Sequence, residues 1–147
     1  MICWRMSAAI HLASMLLLQA PGSHGQASIE LNIENARNSR GVFQLCVTAN
    51  ARVFPDCARD PGAIKRTIPA SNRRLVITGI LPGRYAVTLF HDENANRKLD
   101  TMLGIPREGF GFSRNPVVRF GAPKFTQVSI DFGAGLHRQV MRLQYLL

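Results

Sequence analysis

The chain has 147 residues, 46% of them hydrophobic, which suits one domain with a sizeable core and excludes a disordered polypeptide. Its formal charge of +9 directs attention to anionic partners. Lys65-Arg66, Arg73-Arg74, Arg114, Arg119, Arg138 and Arg142 are dispersed along the sequence, so a solvated basic surface is the plainer reading beside a docking patch.

Residues 1–27 have the pattern of a secretory signal peptide. Arg5 and the terminal amine precede a mostly apolar run from Ser7 to Ala20, and Ser23-x-Gly25 or Gly25-x-Ala27 supplies small residues for cleavage. The alternative is an uncleaved anchor, opposed by the polar His11, Gln19 and Ser23 and by the shortness of the apolar run. Export to the periplasm or the extracellular space makes lipid headgroups, lipopolysaccharide or acidic glycans the expected anions, rather than nucleic acid. Removal of the leader takes Cys3 and leaves Cys46 and Cys57, which an oxidising compartment would pair; a buried Cys46 thiol is the alternative.

From residue 28 onward the chain reads as strands. Ser28–Glu34 alternates, with Ile29, Leu31 and Ile33 on one face, and Val42–Thr48 is the next strand. Residues 49–62 are irregular and rich in turn formers. Ala63–Ala70 carries Lys65-Arg66 and Pro69, which suits an edge strand. Arg73–Gly79 follows, with Leu75, Ile77 and the downstream Ile80 on one face, and Leu81-Pro82-Gly83 makes a tight corner into the strand Arg84–Phe90. Beyond a long loop, Val117–Phe120, Gln127–Phe132 and Gln139–Tyr145 are expected as three more strands. Seven to eight strands with regular turn signals and no helical period predict a single antiparallel β-sandwich over residues 28–147.

The loop from His91 to Asn115 holds the chemistry. Asp92, Asn94, Asn96 and Asp100, with the Lys98 carbonyl between them, have the spacing of an oxygen-lined calcium loop. Arg97 stands where such a loop needs a sharp turn, and Leu103 where a bidentate glutamate closes the shell, so Glu108 or Glu93 would have to fold back. The same residues also suit an ion-free loop of Asx turns. Phe110 and Phe112, with Arg114 and Asn115, form either a platform for an envelope glycan or a small core beneath the loop. His91 beside Asp92 and Glu93 is the sole candidate for hydrolytic chemistry, and neither Ser113 nor Ser129 lies in a nucleophile motif.

Leu81-Pro82-Gly83, Tyr85-Ala86, His91-Asp92-Glu93-Asn94, Asp100, Gly104-Ile105-Pro106, Glu108-Gly109 and Gly111-Phe112-Ser113 together resemble the exported bacterial proteins grouped as domain of unknown function 2141. The resemblance runs from about Ile29 to the C-terminus. It implies an immunoglobulin-like or transthyretin-like sandwich, export, and no assigned activity. Arg97 departs from it, since that place is commonly glycine. The leading expectation is therefore a non-enzymatic exported module with a calcium-stabilised loop. A metal- or His91-dependent hydrolase and a structural envelope protein held to anionic lipid by its charge are the alternatives.

Overall fold

A computed structural model describes residues 25–147, so the apolar leader lies outside the described residues up to position 24. Among the described residues ten strands form a sandwich-like, mostly β structure. One sheet has three strands in the order β10-β1-β4: β1 is Ala27–Glu34, β4 Arg74–Ile80 and β10 Gly135–Arg142. The other runs β3-β2-β5-β8, with β2 Val42–Thr48, β3 Ile64–Pro69, β5 Gly83–Asp92 and β8 Phe110–Phe112. The ten-residue β5 is long enough to pair twice along one edge, with β9 (Ile130–Phe132) near its start and β8 near its end. β6 (Thr101–Met102) and β7 (Ile105–Pro106) form a separate hairpin within the long loop.

Alternation sets the core. Ile29, Leu31 and Ile33 from β1 meet Phe43, Leu45 and Val47 from β2, with Val87 and Leu89 from β5 and Phe132 from β9 completing the layer. Ile77 and Ile80 both point inward although three residues separate them. A register shift opposite Ala27–Ile29, with Gly79 at φ +76, inserts the extra residue that turns Ile80 back to the core. Ala27 opens β1 and is fully buried.

Three expectations from sequence need correction. Val117–Phe120 is not a strand; the Gln144 amide holds it instead, accepting from Val118 N–H and donating to the Pro116 carbonyl. Only the second half of Gln127–Phe132 is extended. Phe125–Val128 forms a helical turn (α1), which the Gln127 side chain caps by accepting from the Lys124 N–H, and it buries Val128. The last strand lies earlier than Gln139–Tyr145 and pairs with β1 in parallel, whereas the other strand pairs are antiparallel. β3, with its lysine, arginine and proline, does occupy a sheet edge.

On the outer face of the five-stranded sheet, Cys46 is bonded to Cys57, with the Cα atoms 6.4 Å apart. The bond ties the turn-rich segment after β2 to the strand it leaves. Closing so short a loop stabilises the fold by about 3 kcal/mol through the entropy of the unfolded chain. Denaturation of the Cys46→Ala, Cys57→Ala protein should show a loss near that size and no further response to reductant, whereas the wild-type midpoint should fall when reductant is added.

Candidate functional site

The last two residues of β5, His91 and Asp92, and the Glu93 that follows send their side chains in three directions. His91 faces inward and is fully buried. Its Nε2 lies 2.8 Å from the Arg40 carbonyl, which only accepts, so Nε2 carries the proton. Nδ1 then accepts from the Tyr145 hydroxyl at 2.9 Å, and that hydroxyl accepts in turn from the Arg37 N–H at 3.1 Å. Burial pushes the Tyr145 phenol up, keeping it protonated as this donor. Gly109 sits against the Tyr145 ring so closely that a Cβ would overlap it. Both His91 nitrogens are thus engaged by the protein's own groups, with no solvent access.

Asp92 points to the outer face and is equally buried. Its carboxylate accepts from Asn96 N–H at 2.9 Å, Arg97 N–H at 2.8 Å and the Gln44 amide at 3.1 Å. Glu108 works from the far side of the loop, accepting from the Glu93 and Asp100 N–H groups at 2.9 and 3.0 Å. Glu108 thus clasps both ends of the 93–100 turn and Asp92 holds its middle. Asn94 and Asn96 donate their amides to Asp100 at 2.8 and 3.0 Å, while their oxygens accept from Asn96 and Lys98 N–H groups. The residues expected to ligate calcium are gathered, but their oxygens are turned to N–H donors. Among the described residues no group of three or more histidine, cysteine or acidic side chains is placed to hold a metal ion. Arg97 does adopt the left-handed conformation, φ +64, that its position in the loop demands.

Glu93 ties the loop to the β1–β2 connection. Arg37, Asn38 and Arg40 all donate to it, at 2.7, 2.7 and 3.1 Å. Burial alone would raise this carboxyl, but the hydrogen bonds from Asn38, Arg37 and Arg40 outweigh it and hold the group below its usual range.

The clasp fixes where the β6–β7 hairpin goes. The hairpin and the segment 118–122 both line a groove of about 580 Å³ on the outer face of the five-stranded sheet. Its floor includes the Cys46–Cys57 bridge, Thr88, Phe90, Phe110 and Phe112, and Leu99, Pro106, Val118 and Leu146 rise around it. Phe110 and Phe112 are only 6% and 7% exposed, which corrects the expectation of a solvent-facing sugar platform. They pack with Ala86 and Val128, and with Phe54, Phe90, Val118 and Phe125, as a second core. Asn115, also expected to meet ligand, is used internally: it donates to the Val140 carbonyl and accepts from Arg142 N–H, both at 2.8 Å. Arg114 is exposed at φ +66, outside the groove lining.

The groove has a basic bias. Lys65 and Arg97 line it, while its one acidic lining residue, Asp56, is held by Arg59 at 2.7 Å. Sequence reading passed over Lys65, Thr88, Leu99, Val118 and Leu146 as site residues because they come from five separate segments. The one local signal was the run of outward apolar positions in β5 and β8, which a sheet face open to water would not carry.

A family model described as an uncharacterized protein conserved in bacteria (DUF2141) matches residues 31–139. No curated protein and no solved structure matches the chain.

Because the folded-state value of Glu93 lies below its unfolded one, its stabilisation is present at neutral pH. It is lost as the pH falls from about 4.3 through the lower folded value. Urea titrations across pH should therefore find Glu93→Gln about 1–2 kcal/mol less stable than wild type at pH 7, with the gap closing in acid.

Proposed function

The chain belongs to this DUF2141 family of bacterial proteins, and from that premise we propose that it is an exported, non-enzymatic binding module of the cell envelope. Its ligand is an amphiphile with an apolar body and an anionic head. The observation that carries this reading is the groove: apolar side chains and a disulfide form its floor, and Lys65 and Arg97 stand in its lining. Its volume is within the range of small-molecule sites. An apolar chain would leave water for the phenylalanine floor, and a carboxylate or phosphate would meet the two cations. The leader-like residues 1–27 and the disulfide support export. The engagement of both His91 nitrogens supports a role without catalysis. We read the hydrogen-bonded loop as the rigid support of the groove wall.

Titration with decanoate and with decan-1-ol, followed by calorimetry, tests this reading. Wild type should take up both and prefer the acid several-fold, because each partly exposed ion pair contributes about 0.5–1 kcal/mol. Lys65→Glu with Arg97→Glu should reverse the preference while keeping affinity for the alcohol. No uptake of either compound by wild type would overturn the proposal.

The convergence of Asn94 and Asn96 on the Asp100 carboxylate favours a second reading of the loop, as a calcium site. Rotating the two amides would direct their oxygens, with those of Asp92, the Lys98 carbonyl, Asp100 and Glu108, toward an ion. On this reading millimolar calcium raises the melting temperature and chelator reverses it, and Asp100→Ala removes the response. A melt indifferent to both additions leaves the ion-free clasp.

A further inference from the structure

We infer that the mouth of the groove is a membrane-docking face, with Leu103 and Phe120 entering an anionic lipid surface. The inference rests on the groove reading for what such docking would serve. Its own evidence is a different set of residues.

Leu103 occupies the turn of the β6–β7 hairpin and is 97% exposed. It and Gly104 have φ +51 and φ +80, the left-handed pair of a tight two-residue hairpin turn. Asparagine or aspartate is the usual first residue of such a turn, and a leucine there is strained as well as exposed. Met102 and Ile105, on either side, are half-exposed. Phe120 is 96% exposed, in a segment that also exposes Val117. Gly104 and Gly121, the chain neighbours of Leu103 and Phe120, both line the groove, so the two apolar tips stand beside it. Scattered exposed apolar residues are ordinary; two large ones left almost wholly in water at the mouth of an apolar groove are a candidate contact surface.

Charge selects the occupant. Lys65 and Arg97 line the groove, Lys98 follows Arg97, and Arg119 and Lys124 flank the Phe120 segment. Among the described residues none of these five forms an ion pair, whereas Asp56 in the lining is already paired with Arg59. A second copy would bring this same cationic rim against itself. A protein partner would need sockets matched to two tips on separate loops. An anionic bilayer meets both demands without shape matching: its headgroups attract the cations, and its acyl region accepts leucine and phenylalanine at any spacing. Docked in this way, the groove opens onto lipid chains, the class of ligand its floor suits.

The experiment is sedimentation of the protein, purified as the cell processes it, with phosphatidylcholine vesicles containing phosphatidylglycerol and with pure phosphatidylcholine vesicles. The comparison protein is Leu103→Asn, Phe120→Asn. Asparagine relieves the positive φ at position 103, and both side chains are exposed, so its melting temperature should match wild type. Wild type should bind the anionic vesicles, less so as salt rises, and the variant should lose on the order of a hundredfold in affinity because two apolar side chains no longer leave water. Equal binding by the two proteins, binding indifferent to phosphatidylglycerol, or no binding would overturn the inference. So would concentration-dependent dimerisation of wild type that the variant lacks, which would make the face homomeric. Failure of the groove reading shows separately, as absent decanoate uptake with vesicle binding intact.

Discussion

The fold turns on the last two residues of β5 and the one that follows them, where consecutive side chains each satisfy a different part of the chain. His91 is buried inward between the Arg40 carbonyl and Tyr145, Asp92 is buried outward against two backbone N–H groups and Gln44, and Glu93 gathers Arg37, Asn38 and Arg40. Strand alternation makes this arrangement available, because successive residues face opposite sides of the sheet. A buried carboxylate is costly unless its lone pairs are filled, and here backbone N–H groups fill them. The loop after β5 is consequently determined by the strand that precedes it.

That determination explains how a long, glycine-containing excursion can form one wall of a groove. Glu108 pins both ends of the 93–100 turn and Asp92 its middle, and the Arg107 N–H donates to the Asp100 carbonyl at 2.8 Å, closing the base of the hairpin. Asp92, the clasp, and Phe90, part of the groove floor, share the outer face of the same strand. The polar network and the apolar site are therefore joined through one strand. Arg97 carries both roles, since its N–H belongs to the clasp and its side chain lines the groove. Its left-handed backbone is the strain accepted for that placement.

Much of the fold was legible because its strands are two-sided. Ile29, Leu31 and Ile33 alternate cleanly and all three are buried, and the charged β3 could be assigned to an edge from its residues alone. Legibility failed where hydrogen bonds replaced patterning. Val117–Phe120 looks like a strand by composition, yet its hydrogen-bonding partner is the Gln144 side chain, and nothing local encodes that residue's position. Phe125–Val128 forms a helical turn too short to display a period. Phe110 and Phe112 read equally well as platform or core, because their burial depends on Phe54, Phe125 and Val128, which are remote in sequence.

The sequence by itself determined the β-rich class, the strand alternation, the family resemblance and the importance of the His91–Asn115 loop. Each is set by residue order and local propensity. Tertiary structure decided the Cys46–Cys57 bond, the tautomer of His91, the direction of every oxygen in the loop and the existence of the groove. These depend on which segments meet, and the groove needs β2, β3, β5, β8, the hairpin and the C-terminal residues together. A carboxylate's role is fixed by the donors that reach it, and most of those donors arrive from elsewhere in the chain.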